Sequence, residues 1–279
     1  MYTALPCTDP SAVASRPRPV ARHAARLALA AAAALAPVPS PAAPDEIVVF
    51  DDEFEKAGDV GYELHFNYTP RGRRTADYTG EQIPEHVFRF MPEVVVGLSE
   101  RWNLGLHLPM SYSHDTHRAT VDGFKARLHY LDVRADGGAA WFHGVNFELS
   151  TYHRRISESH LSFEARGIVG VRAGDWLLAL NPILNRPLNY VPGRDNRFNL
   201  DVFAKAVRSF GEHVAVGVEH YTELGSLNDL QFGSTSGQTT FLTVDLEVPG
   251  GLSIHAGLGH GWTAPVDRRV VKVMVGLPW

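Results

Sequence analysis

Cysteine is nearly absent: 279 residues contain only Cys7. Disulfides cannot staple this fold, and a thiolate metal or redox site is excluded. Long apolar runs are also scarce. Only LALAAAAALAP near the start resembles one, and it is too short for a membrane helix, so a polytopic helical membrane protein is excluded. Neither sign of charge dominates, with 26 Lys and Arg against 31 Asp and Glu. There is no basic stripe interleaved with aromatics, and nucleic acid is not an expected partner.

The apolar run follows Arg16, Arg18, Arg22 and Arg26 and leads into SPAAPDE. A basic segment, a short apolar run and a small-residue exit read as a secretory signal peptide over residues 1–42, cleaved near Ala42. Cys7 falls in the part removed, which takes the net charge from −5 to −8. Residues 43–59 then form a periplasmic N-terminal segment, with the option of tucking into the domain that follows.

From residue 60 onward the dominant period is two. GYELHFNYT sets Tyr62, Leu64, Phe66 and Tyr68 against Glu63, His65 and Asn67. HVAVGVEH and GLSIHAGLG repeat the pattern. About 12 such segments are legible, near 60–69, 84–99, 101–113, 120–133, 138–152, 160–172, 175–185, 196–208, 212–222, 238–248, 251–261 and 268–279. Most exceed the usual 5–6 residues of soluble strands, whereas a tilted bilayer-crossing strand needs roughly 9–11. Short connections (SER, RADGG, AGD, FGEH, VPGG) alternate with longer ones, the rhythm of hairpins in a ring with all long loops at one end. With the apolar parity assigned outward, Asp, Glu, Lys and Arg are expected to be absent from the outer face. A soluble sandwich would put its apolar face inward instead.

The expected fold is therefore all-β: a closed antiparallel up-and-down transmembrane β-barrel of about 12 strands over residues 60–279, in the bacterial outer membrane, with lipid as its solvent. The final row Val271, Val273, Val275, Leu277 and Trp279 should pair with the first strand near Tyr62 to close the ring. Trp102, Trp141 and Trp176 lie near the short-turn ends of their strands and, with Trp279, are expected at the membrane interface. Pro92, Pro109 and Pro182 interrupt the pattern, since each removes a ladder donor.

The sequence resembles bacterial outer-membrane β-barrel proteins over nearly all of the mature chain, through the signal peptide, the alternating strands and the terminal KVMVGLPW. In that class the C-terminal strand ends in an aromatic, most often Phe, and is recognised by the barrel assembly machinery, which the resemblance implies as a partner. Here the aromatic is Trp279, preceded by Pro278. More narrowly, VVVGLSERWNLGLHLPMSY resembles a segment of a family of transporters linked to phenol meta-pathway operons, through Gly97, Leu98, Trp102, Leu104, Gly105, Leu106, Leu108 and Pro109. That resemblance spans about 15 residues and implies transport of small molecules.

The inward parity collects Glu63, His65, Arg89, Glu93 and His107 from the first three strands. Lys125, Arg127, His129, Glu148, Glu164 and Arg166 follow from the next three. Asp201, Lys205, Glu219, Asp245, Glu247, His255 and Lys272 complete the set. Two readings stand: a narrow water-filled pore passing a small-molecule solute, or a lumen closed by cross-pairing, as in a structural or adhesion barrel. If the basic residues of the early strands faced the acids of the later ones, a transverse field would orient solutes. A rim-active lipid hydrolase is a further alternative, but no catalytic residues are assigned: G-x-S-x-G and H-E-x-x-H are absent. His114 and His117 with Asp115, and His153 and His160, read as solvated loop histidines. No metal or cofactor is assigned.

Overall fold

The computed structural model describes residues 46–189 and 196–277. The expected signal peptide over residues 1–42, Pro278 and Trp279 lie outside these described residues. Twelve staves run in chain order: β1 (Val60–Arg71), β2 (Val87–Ser99), β3 in two pieces (Trp102–His107 and Met110–Ser113) and β4 in two pieces (Arg118–Val121 and Gly123–Asp136). They continue as β5 (Ala139–Tyr152), β6 (Leu161–Ala173), β7 (Trp176–Pro187), β8 (Asn199–Ser209), β9 (Val214–Ser226), β10 (Gly237–Val248), β11 (Leu252–Gly261) and β12 (Arg269–Leu277). Each pairs antiparallel with its sequence neighbours, and β1 also pairs with β12, from Tyr62 opposite Leu277 to Tyr68 opposite Val271. The ring is closed by β1 and β12, as a lipid environment requires; among the described strands the short piece Arg118–Val121, at the long-loop end, pairs on one side only, with Met110–Ser113.

The tight turns share one end. Gly137 and Gly138 join β4 to β5 with φ of 58° and 89°, the left-handed pair that a two-residue hairpin turn needs. The chain enters β1 and leaves β12 at this same short-turn end.

Burial is inverted relative to a soluble protein. Leu258 and Leu242 are 66% and 61% exposed on the outside, whereas Lys272 and Glu219 are each 1% exposed inside. The expected exclusion of charge from the outer parity needs correction at strand ends. Asp122 and Asp132 share the parity of outward-facing Phe124 and Leu128 but are buried. Alternation slips beside each: Asp122 separates the two pieces of β4, and Leu131 and Asp132 are buried in succession. Arg208 does face out, at the short-turn end, where its guanidinium lies 5.8 Å from the Trp176 ring. An arginine at that level can reach the headgroups.

The prolines are absorbed locally. Pro109 lies in the break of β3. Across β6–β7, pairing skips from Arg166–Ile183 to Val169–Leu180 around Pro182. Pro92 stays in register opposite Leu64, and its carbonyl accepts from Leu108 N at 3.1 Å.

Candidate functional site: an occupied lumen

Residues 46–55 run through the interior. Their own sequence, EIVVFDDEFE, supplies both acids and apolar side chains, and the barrel wall receives each kind. Glu46 meets Lys125 at 2.7 Å and also pairs with Arg127. Burial alone would raise the Glu46 carboxyl, but Arg127 and then Lys125 outweigh it and hold the group well below the usual range. Lys272 Nζ donates to the Ile47 carbonyl at 2.9 Å, and Arg166 to the Val48 carbonyl at 3.1 Å. Asn181 clasps Phe50, accepting from its N–H at 2.7 Å and donating to its carbonyl at 3.0 Å. Asp51 pairs with Lys205.

The apolar residues of the segment are held as firmly. Val49 packs with Ile168, Ile183, Phe203, Tyr221 and Phe241 in a cluster inside the barrel. The Phe50 ring lies 4.7 Å from both the Arg127 and Arg166 guanidinium carbons. His129 sits against Phe50 and Phe54, with ring centroids 5.5 and 5.4 Å apart. The segment thus satisfies polar wall groups on five strands and packs against apolar residues of two more.

Most of the sequence-singled residues are buried within the barrel. His65, Arg89, Glu93, His107, Lys125, Arg127, His129, Glu148, Arg166, Asp201, Glu219 and Lys272 are buried, and Glu63, Glu164, Lys205, Asp245 and His255 are partly so. Glu247 is exposed, near the short-turn end of β10.

The expected two-wall field is replaced by local neutralisation. Arg127 contacts Glu93 at 3.2 Å and Glu148 at 3.3 Å on its own side. On the far side Lys272 pairs with Glu219, and His255 pairs with Asp245 and lies 3.5 Å from Glu219. Arg166 pairs with Glu164 at 3.0 Å, and Asn185 donates to Asp201 at 2.6 Å. Parity assigns a side chain to a face, but register assigns its neighbour: it sets Arg127 opposite Glu148 and Asp245 opposite His255, while Lys272 reaches Glu219 across the lumen.

Sequence reasoning passed over the neutral lumen residues, among them Asn103, Asn146, Asn181 and Thr243, all buried. Their inward parity was the available signal. It also left open what Glu46, Phe50 and Asp51 contact.

A cavity of about 380 Å³ remains at the short-turn end, beneath the segment. Phe54, Glu63, Glu93, His255 and Met274 are among its lining residues. The opposite mouth is crossed by the loop after β1. Its Gln82 N donates to Arg155 O at 2.9 Å and its Gln82 side chain accepts from Ser111 Oγ at 3.1 Å.

No family model matches the chain, and no curated protein does. Similar solved structures do exist. An outer membrane channel from Pseudomonas putida F1 aligns with TM-score 0.58 and 10% identity, over 83% of this chain and 99% of that one. The KdgM porin aligns at 0.50 and 11%, over 78% and 99%, and the NanC porin at 0.51 and 8%, over 78% and 100%. With the closed ring, the inverted burial and these likenesses, the chain has the fold of bacterial outer-membrane β-barrels.

Proposed function

We propose that this protein is a narrow outer-membrane channel for passive passage of small molecules, with residues 46–55 as an internal constriction. The observation that carries the reading is a lumen lined with ionisable side chains around a cavity of about 380 Å³. A barrel built only as a rigid body would gain more from an apolar filling, because each buried charge costs desolvation. Similar structures that bear the names of porins and a channel point the same way. Export by the signal peptide of residues 1–42, assembly through the C-terminal strand, interfacial placement of Trp102, Trp141, Trp176 and Trp279, and a Gram-negative host belong to the same reading.

The reading assigns no catalysis. The rim hydroxyl of Ser159 donates to the Leu161 carbonyl at 2.7 Å, and His160 Nδ1 engages the Tyr152 carbonyl at 2.6 Å. Neither is aligned with the other as nucleophile and base.

The firm seating of residues 46–55 favours a second reading, a plugged barrel that serves structure or adhesion. Planar-bilayer recording of the full mature protein separates the two. Discrete conductance steps support the channel. Silence from protein that is folded by heat-shifted mobility supports the plug.

A further inference from the structure

The register of β4 to β7 lays two adjacent rows across the outer face at the short-turn end. One runs Arg134, Trp141, Val171, Leu178, and the other Asp132, His143, Val169, Leu180. Each row starts with a charge on β4 and is apolar from β6 onward. The β6 column is also low. Its outward side chains Val171 and Val169 are short, whereas Trp141 and His143 on β5 and Leu178 and Leu180 on β7 stand taller on either flank. A groove of about 460 Å³ lies between them. Further along β6 the outward positions are Gly167 and Ala165, so the floor stays low until Phe163, whose ring stacks on Phe147 at 6.4 Å. The six residue steps from Val171 to Ala165 cover about 20 Å of strand, and at a tilt of about 45° they reach roughly 15 Å deep, the hydrocarbon depth of one leaflet.

The mouth of this groove is cationic. Arg134 Nε donates to Asp132 Oδ2 at 2.9 Å, Arg101 Nη2 is 3.2 Å from Asp132 Oδ1, and His143 Nε2 is 4.0 Å from Oδ2. The Asp132 side chain is buried beneath them, whereas those of Arg134, Arg101 and His143 are 74%, 59% and 53% exposed. One carboxylate therefore orients two guanidinium groups and cannot neutralise both. Among the described residues, the turn acids Glu100 and Asp136 pair with neither arginine. Each guanidinium keeps N–H donors beyond the one that meets Asp132, and such forks match phosphate oxygens. Trp141, exposed between the arginines and the valines, suits the level where headgroup meets hydrocarbon.

We propose that this furrow binds an anionic phospholipid, with the phosphate on Arg101 and Arg134 and one acyl chain lying along β6. The apolar floor accepts the chain of any lipid, and the two arginines at its mouth select negative charge. The site lies on the outside of the barrel and does not depend on whether solute passes through the lumen.

The test is native mass spectrometry of the mature protein in detergent, supplied with dioleoyl phosphatidylglycerol or with dioleoyl phosphatidylcholine. One phosphatidylglycerol should stay bound at collision energies that strip phosphatidylcholine. Arg101→Gln with Arg134→Gln should lower its occupancy by about tenfold. Val169→Phe raises the groove floor, leaves both arginines in place, and should lower the occupancy as well. Arg208→Gln, beside Trp176 near the same end but off the groove, should leave it unchanged. Phosphatidylglycerol retention that survives the arginine pair or Val169→Phe, or that falls equally in Arg208→Gln, overturns the proposal. The comparison of the two lipids on unaltered protein needs no variant to fold, and equal retention of both also overturns it.

Discussion

Lys272 donates to the carbonyl of Ile47 at 2.9 Å and pairs with Glu219, so the last strand grips the segment that precedes the first. The two partners are 225 residues apart in sequence. Closing the barrel therefore completes the socket for residues 46–55, and this order has consequences that can be measured.

The first concerns the ionic anchors of the segment. Glu46 ties it to Lys125 and Arg127, and Asp51 ties it to Lys205. Glu46→Gln leaves Lys125 and Arg127 with Glu148, and Arg127 with Glu93 as well, so the wall does not carry bare cations. Docking should weaken by about 2 kcal/mol, roughly thirtyfold in its equilibrium. The expected result is a higher open fraction in single-channel records, with the barrel still resistant to mild heating. Unchanged gating would remove residues 46–55 from the role of constriction.

The second concerns pH. Glu53 faces the water of the cavity but is enclosed by the barrel, and its backbone N–H donates to Asp51 at 3.0 Å. The Asp51 carboxylate first, and burial second, push the Glu53 carboxyl up to about 8. An undocked segment would release that proton near 4.5. Between these values the docked form holds a proton that the undocked form lacks, so docking is favoured at low pH and weakens as pH rises through about 8. Open probability should climb between pH 4.5 and about 8 and level off above that. Glu53→Gln should flatten the profile, which bilayer recording at stepped pH would register.

A third prediction uses backbone contact. The turn before β1 approaches β2 so closely that a Cβ on Gly97 would lie 1.9 Å from the Lys56 carbonyl oxygen. Gly58 N donates to Gly97 O at 2.8 Å, and Gly97 N to Asp59 O at 2.9 Å. Backbone cannot yield as a flexible side chain does, so Gly97→Ala should displace the turn around Lys56. Trypsin should then cut after Lys56 faster than in the parent, while the strands stay protected. Equal cleavage rates would mean that the turn is already loose.

Period-two alternation sufficed to place all 12 staves, because each wall residue faces either lipid or lumen and the contrast is large. It held even over 175–185, where Trp176–Pro187 forms despite Pro182. Two things escaped it. Residues 46–55 have no period of their own, and the wall partners named above lie 75 to 225 residues away, so nothing local reveals the contacts. The lumen's charge pattern depends on which residues face each other across the ladder, as Glu63 and Glu93 do. A sequence read one strand at a time does not carry that register.

The last prediction addresses the outer face. Leu258 lies opposite Leu242 on β10 and Val271 on β12, and all three side chains point outward. If hydrocarbon bathes this surface, an Arg at position 258 must either be buried in it or bend away toward the headgroups. Near the midplane the cost is about 2–4 kcal/mol. Glu247→Arg, on the exposed inner side near the short-turn end, places the same charge in water and should cost little. Urea titration of folding into lipid vesicles would compare the two variants directly. A destabilisation confined to Leu258→Arg is expected, because lipid cannot hydrate the guanidinium and the closed ladder gives it no partner on that face. Equal stability of both variants would mean that water, not lipid, covers the outer row, and the membrane-spanning reading of every strand would fall with it.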